Sequence, residues 1–155
     1  MLFVSDRPIT FTTADHDPTS YRRSLYPFMV KTVILIDDDQ DDLDILKEAI
    51  ATIDSTIACV CFVNPEDAIR LFSRDLLFIP DYIFTDVNMP IIQGGECVKA
   101  IRRIRALDEV VVTVLSTHLS EDSTKELIGL GANFAFKKPL LFHEYQVLLK
   151  EVFTK

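Results

Sequence analysis

Five short apolar runs, separated by stretches with helical periodicity, constrain the fold of this chain most strongly. The runs are rich in β-branched residues and apolar at consecutive positions, which is typical of strands covered on both faces of a parallel sheet. Alternation of such strands with helices predicts right-handed crossovers and an α/β fold with helices on both faces. The predicted strands are 32–36, 56–63, 82–85, 110–115 and 134–136.

The stretches between these runs carry helix signals. The second begins with Asn64 and Pro65, a preferred N-cap residue and a proline at the first helical position. The fourth, near 120–130, ends at Gly131, a natural C-terminal glycine. In the other three stretches, apolar residues at spacings of three and four predict helices with one core-facing side. These residues are Leu43, Leu46, Ile50 and Ile53 in the first helix; Val98, Ile101 and Ile104 in a third at roughly 95–106; and Leu141, Tyr145, Leu148 and Val152 in the fifth.

Residues 1–29 differ from the rest of the chain. They are rich in Ser, Thr, Asp and Pro, show neither helical nor strand periodicity, and lack the continuous apolar core of a secretory signal. We predict a flexible N-terminal extension at 1–29 and one domain at 30–155. This division would leave no residues for a separate DNA-binding or enzymatic output domain.

Composition narrows the class of partner. The chain has 16 basic and 24 acidic residues and a net charge of −8, which argues against nucleic acid and anionic membranes as ligands. No apolar run approaches the ~18 residues that a bilayer span needs. Three cysteines without metal-ligand spacing indicate reduced thiols and a cytoplasmic location. Cys59 and Cys61 are predicted to share one strand face as small hydrophobic residues.

Charged and hydroxyl side chains follow the predicted strands. Asp37 and Asp38 follow the first strand, Asp86 the third, Ser116 the fourth and Lys138 the fifth. In an open parallel sheet, ligands bind beyond the carboxyl ends of the strands. Two carboxylates about 4 Å apart repel by roughly 4 kcal/mol at an effective dielectric near 20, so a hard cation such as Mg²⁺ is their natural partner. A carboxylate beside such a cation can act as a nucleophile toward phosphorus, with the hydroxyl and the ammonium binding phosphoryl oxygens.

The motifs VILIDDD, IFTDVNMP, VLST, and GAN followed by FKKP occur in this order over residues 30–155. In sequence and spacing they resemble the receiver domain of two-component response regulators. The resemblance implies a flavodoxin-like receiver fold, a doubly wound five-stranded parallel sheet of order 2-1-3-4-5 with five helices.

The resemblance also implies a set of functional residues. Asp86 would be the phosphoacceptor, Ser116 the switch hydroxyl and Lys138 the lysine that binds the phosphoryl group. Such a protein catalyses its own phosphorylation and dephosphorylation and is not a turnover enzyme. The implied Mg²⁺ ligands are Asp37 through water, Asp38 directly, Asp86, and the backbone carbonyl of Asn88.

The resemblance implies partners as well. A sensor histidine kinase or a histidine phosphotransfer protein would donate the phosphoryl group. Output would pass to a downstream protein that the sequence does not name, or through a homodimer formed by the fourth helix, the fifth strand and the fifth helix. Ala135 stands where receivers often carry an aromatic switch residue, and Asn88 and His118 stand where receivers tune the lifetime of the phosphoryl group.

Other interpretations of the acidic run are weaker. Counted from Asp37, the run mimics an EF-hand loop, but Asp42 replaces the required glycine and a strand precedes it. A haloacid-dehalogenase-type phosphatase would use Asp37 as nucleophile, but it needs Thr or Val at position 41, which is Asp. A receiver fold that never takes phosphate and signals by docking stays open, as does a turnover phosphatase. Two groups are predicted to be solvated: Asp39, Asp41 and Asp42 as helix-capping residues, and Arg102, Arg103 and Arg105 on the third helix.

Overall fold

A computed structural model describes residues 31–74, 78–90, 92 and 94–155, together with the backbone of 3–4 and 7–8. The chain divides into two compact units, residues 1–30 and 31–155. In the first unit, Phe3–Val4 and Arg7–Pro8 form a short antiparallel pair that the sequence did not predict. The rest of the predicted flexible extension lies outside the described residues, so its flexibility stays a prediction.

The second unit contains a five-stranded parallel sheet of order β2-β1-β3-β4-β5. The predicted fold class and strand order are confirmed, and each predicted strand agrees with the observed one within two residues at either end. The central strands β1, β3 and β4 are almost wholly buried, which explains their continuous apolar sequences. The strands are β1 Thr32–Ile36, β2 Ala58–Phe62, β3 Tyr82–Asp86, β4 Val111–Ser116 and β5 Phe134–Lys137.

Five helices connect or follow these strands. Asp39 caps the first by accepting a hydrogen bond from the Asp41 N–H (2.9 Å), as predicted. The second helix begins at Pro65, and the Asn64 side chain before it accepts a hydrogen bond from the Glu66 N–H (2.9 Å). The helices are α1 Gln40–Ile53, α2 Pro65–Arg74, α3 Gly94–Arg102, α4 Glu121–Gly129 and α5 Phe142–Phe153, with a 3₁₀ turn at Arg105–Leu107. No helix within the described ranges is long and apolar enough to cross a bilayer.

The sheet has a separate hydrophobic core on each face. Helices α2, α3 and α4 cover one face, where Ile34, Ile83 and Val114 are buried. Helices α1 and α5 cover the other, where Leu35 and Phe84 are buried. Because successive side chains of a strand point to opposite faces, each strand contributes to both cores.

Several local predictions were wrong. The third helix ends at Arg102 instead of continuing to about 106, because Ile104 adopts an extended conformation (φ −95°, ψ 99°). Leu141 is 55% exposed: its backbone is extended (φ −119°, ψ 141°) at the N-cap of α5, outside the helical period. Cys59 and Cys61 lie two residues apart on β2 and share one face, as predicted, but only Cys59 packs as a core residue, against the α1–α5 core, whereas Cys61 is exposed.

Arg102 is not a solvated residue of α3. Its guanidinium donates to the carbonyls of Gly131 (2.8 Å), Leu107 (2.8 Å) and Val110 (3.0 Å) and to the side-chain oxygen of Asn133 (2.8 Å). These bonds join the end of α3 to the loops before β4 and before β5. Arg103 and Arg105 are exposed, so the prediction holds for them.

Candidate functional site

Three carboxylates meet at the carboxyl ends of β1 and β3. Because Ile36 pairs with Thr85 in the parallel register, the residues that follow each strand are neighbours. One oxygen from each of Asp37, Asp38 and Asp86 lies within 4.8 Å of the others. Asp37 and Asp86 are 7% and 4% exposed, whereas Asp38 is open to solvent. The sheet therefore places two buried carboxylates and one accessible carboxylate around one small volume.

The Lys138 ammonium reaches this volume from β5. The Lys138 N–H donates to the Ser116 carbonyl (2.7 Å), which fixes the backbone beside the end of β4. Its Nζ lies 2.8 Å from Asp37 Oδ2, 2.6 Å from Asp42 Oδ2 and 3.2 Å from Asp86 Oδ1. Burial acts to lower the pKa of Lys138, but the hydrogen bonds to Asp37 and Asp42 outweigh it, so the pKa is raised. The ammonium is charged at neutral pH.

The two oxygens of Asp86 have different environments. Oδ2 accepts a hydrogen bond from the Asn88 N–H (2.8 Å). Oδ1 is buried and has no hydrogen-bond partner among the described residues, although Lys138 Nζ lies 3.2 Å away without hydrogen-bond geometry. A buried carboxylate oxygen that is ion-paired but accepts no hydrogen bond has lone pairs available to a ligand.

Asp37 carries an electrostatic cost in this site. Burial raises its pKa above the ordinary carboxyl value, while the hydrogen bonds from Lys138 and from the Asp39 N–H (3.0 Å) act to lower it. The charge of Asp86 nearby raises it further. A cation between the two carboxylates would remove this repulsion.

The donor set therefore fits a hard divalent cation. Oxygen ligands within a few ångströms of one another, one of them open to solvent for exchange of water, are what Mg²⁺ uses in proteins. Asp86, whose Oδ1 has no hydrogen-bond partner among the described residues, contributes one oxygen to the same cluster. The backbone of Asn88 lies beside Asp86, and its N–H is engaged by the Asp86 carboxylate.

Ser116 and its neighbours form a hydrogen-bonded group at the end of β4. The Ser116 hydroxyl donates to the His118 carbonyl (2.6 Å) and accepts from the His118 N–H (3.2 Å). The Asn88 amide donates to Thr117 Oγ1 (3.0 Å), with Ser116 Oγ 3.4 Å away. Asn88 thus connects the loop after β3 to the loop after β4, and the structure brings every predicted site residue to this edge of the sheet.

Two residues of this edge were missed or misread in the sequence. Thr117, which binds the Asn88 amide, is the last residue of the VLST motif but was given no role. Asp42 was predicted to be a solvated capping residue, which is wrong because its carboxylate binds Lys138. A signal was present: Asp42 precedes the buried Leu46 and Ala49 by four and seven residues, so the helical period places it on the inner face of α1.

The aromatic residues of β5 lie on the α1–α5 face of the sheet, so neither can act as an aromatic switch that packs near α4. Ala135 packs against the core shared by α2, α3 and α4. Phe134 and Phe136 pack against the α1–α5 core, and their rings stack with centroids 5.6 Å apart. The period of two in a strand therefore keeps both rings away from the α4 side.

Comparisons with known proteins agree with this architecture. The family model of the response regulator receiver domain matches residues 33–150. The chain is 30% identical over 124 residues to the transcriptional regulatory protein PrrA of Mycobacterium bovis, covering 79% of this chain and 50% of that protein. It thus spans about half the length of this curated relative.

Solved structures show the same fold. The phosphorylated cyanobacterial phytochrome response regulator RcpA superposes with a TM-score of 0.69 at 23% identity, covering 79% of this chain and 91% of that one. The Mn²⁺-bound form of the response regulator Rcp1 gives a TM-score of 0.68 at 21% identity, covering 76% and 91%. Sequence motifs, sheet order and family match agree, and the chain belongs to the response regulator receiver domain family.

Proposed function

We propose that this chain is a phosphoacceptor in a two-component phosphorelay, with Asp86 as the residue that takes the phosphoryl group. The observation that carries the proposal is the buried Oδ1 of Asp86, which accepts no hydrogen bond from the described residues and lies 3.2 Å from the Lys138 ammonium. Asp37 and Asp38 complete an acidic cluster around it. Phosphoryl transfer asks a protein mainly for alignment and charge neutralisation, which this arrangement supplies.

The reaction is a displacement at phosphorus. Asp86 Oδ2 accepts a hydrogen bond from the Asn88 N–H, whereas Oδ1 accepts none from the described residues, so we take Oδ1 as the oxygen that attacks. The new bond joins Oδ1 to phosphorus while the bond from phosphorus to the donor breaks. With a phosphohistidine donor the leaving group is the imidazole, which takes up a proton; with acetyl phosphate it is acetate.

A divalent cation would complete the site. Asp38, Asp86 and the Asn88 carbonyl would hold Mg²⁺ directly, and Asp37 through water. The bound ion would neutralise the charge of the carboxylates and of the donor phosphate. The response regulator Rcp1, which shares this fold, has a Mn²⁺-bound form, and this supports the proposal of a divalent ion for this chain.

Phosphorylation adds about −1.5 to −2 charges beside Lys138. The Ser116 hydroxyl, bonded to His118 O in the resting state, would turn toward a phosphoryl oxygen and draw the loop after β4 with it. The face of α4, β5 and α5 would change shape and offer a surface to a downstream protein or a second copy. Because the rings of Phe134 and Phe136 lie on the α1–α5 side, this change would proceed without an aromatic switch.

The donor would be a sensor histidine kinase or a histidine phosphotransfer protein, as is general for receivers of this family. The chain would catalyse only its own phosphorylation and dephosphorylation. A turnover phosphatase would instead release many equivalents of phosphate from small esters.

Incubation with acetyl phosphate and Mg²⁺, followed by intact mass measurement, tests the proposal. We expect one phosphoryl group per chain, its loss in Asp86→Asn, and an unchanged adduct in the matched control Asp44→Asn, which alters an exposed carboxylate of α1. No adduct in the native chain would favour the receiver-like interaction module. Phosphate release far above one equivalent would favour the phosphatase.

A further inference from the structure

Asp42 is the carboxylate closest to the Lys138 ammonium. Its Oδ2 lies 2.6 Å from Nζ, against 2.8 Å for Asp37 and 3.2 Å for Asp86. The Asp42 side chain is 31% exposed, while that of Lys138 is 11% exposed. A contact this short between ionised groups at a mostly buried site is among the stronger hydrogen bonds that proteins make.

The hydrogen bond to Asp42 determines which acceptors remain for the other N–H donors of Lys138. An ammonium has three N–H donors, and Asp37 and Asp42 accept two of them with good geometry. Asp86 Oδ1 is close enough for a bond but does not receive one. Without Asp42, Asp37 would still hold the ammonium, and the N–H released from Asp42 would be donated to the nearby Asp86 Oδ1, whose lone pair must attack phosphorus.

We propose that Asp42 is a positioning residue for phosphoryl transfer, which holds Lys138 toward α1 so that Asp86 Oδ1 stays free to react. The third N–H of Lys138 then remains available for a phosphoryl oxygen. This inference rests on the proposed function, and it adds to the site a residue of α1 that acts through Lys138 and does not touch the phosphoryl group.

Asp42→Asn tests the inference, with Asp41→Asn as the matched control. Asp41 is the preceding residue of α1, it is exposed, and its replacement removes the same charge from the same helix turn. At saturating Mg²⁺ and acetyl phosphate we expect the phosphorylation rate to fall about tenfold in Asp42→Asn, the order expected for loss of a charged hydrogen bond. Asp41→Asn should stay within about twofold of the native rate.

A double-mutant comparison separates positioning from a general structural effect. In a Lys138→Gln background, Asp42→Asn should cause no further fall in rate, because its effect passes through the ammonium. Asp42→Ser, which suits the start of a helix, gives a second variant if Asp42→Asn melts at a lower temperature. A rate unchanged or increased in both Asp42 variants, or an equal fall without Lys138, would overturn the inference. If the native chain takes no phosphoryl group, the proposed function itself fails, which is a different result.

Discussion

At the scale of single residues, the site depends on differences between atoms that a sequence cannot show. Sequence motifs were sufficient to select Asp37, Asp38, Asp86, Ser116 and Lys138, because each is the last residue of a strand or lies within two residues after it. Which Asp86 oxygen is free depends on one backbone N–H, that of Asn88, and on the direction of the Lys138 ammonium. Those directions are set by tertiary contacts, as the Asp42 bond shows.

Thr113 provides a test of residue-scale energetics away from the site. It is fully buried on β4, and its hydroxyl has no hydrogen-bond partner in the described part of the chain. Thr113→Val removes this unsatisfied group and keeps the shape, so we expect the free energy of unfolding to rise by about 1 kcal/mol. Urea denaturation with an unchanged m-value measures it.

Thr85→Val is the matched control for that change. The Thr85 hydroxyl lies on β3, also buried, but it contacts the Asp86 carbonyl (3.2 Å) and Cys97 Sγ (3.5 Å). Its replacement should lower stability or leave it unchanged. Equal stabilisation by both variants would show that the missing partner of Thr113 is not the cause.

At the scale of elements, the sequence predicted the strands and the helix starts well because their signals are local. Runs of β-branched residues, the Asn64-Pro65 start and the Gly131 stop depend on neighbours in the chain. The end of α3 was not predictable in this way. Arg102 binds carbonyls of the two loops before β4 and β5, and one of its acceptors, Gly131, lies 29 residues away.

The contact with Arg102 constrains the backbone most strongly at Gly131. Its φ is +109°, and a Cβ there would lie 2.8 Å from Arg102 Cγ. Gly131→Ala therefore combines a strained backbone with a steric conflict, and we expect a loss of about 2 kcal/mol or more in the free energy of unfolding. Thermal or urea denaturation measures it.

Gly129→Ala is the control for that prediction. Gly129 is the last residue of α4, and a Cβ there would have no neighbour within 4 Å. Alanine favours a helix over glycine by up to about 1 kcal/mol, so this variant should be neutral or more stable. A Gly131→Ala protein as stable as the Gly129→Ala protein would contradict the role given to the Arg102 contact.

At the scale of the whole molecule, the fold holds several carboxylates close together, and a bound cation would relieve the repulsion between them. An ion that binds only the folded state stabilises it by about 2.7 kcal/mol at one hundred times its Kd. We therefore expect Mg²⁺ to raise the melting temperature by several degrees, and Asp38→Asn to remove most of that increase. Differential scanning fluorimetry across a magnesium titration measures the shift.

Asp39→Asn is the control for the magnesium effect. Asp39 is next to Asp38 in the chain but caps α1, a role that asparagine also fills. The melting temperature of the Asp39→Asn variant should rise with Mg²⁺ as in the native chain. An equal loss of the magnesium shift in both variants would indicate a general effect of charge and not a site built from Asp37, Asp38 and Asp86.

The proposed signalling also belongs to this scale, because Asp86 ends β3 whereas the proposed output face is formed by α4, β5 and α5. To move the chain from 1:99 to 99:1 between two conformations, phosphorylation must favour one by roughly 5.5 kcal/mol. New bonds from Lys138 and Ser116 to a phosphoryl group are of the right order, since hydrogen bonds to charged groups contribute about 1.5–3 kcal/mol each.

The identity of the modified residue is the most direct test of the account. After treatment with acetyl phosphate and Mg²⁺, borohydride reduces an acyl phosphate to the alcohol, so a phosphorylated Asp86 would be recovered as homoserine in peptide mass mapping. We predict homoserine at position 86 and at no other aspartate. Homoserine elsewhere, or an acid-stable phosphoryl group on a hydroxyl, would contradict the assignment of Asp86 as the phosphoacceptor.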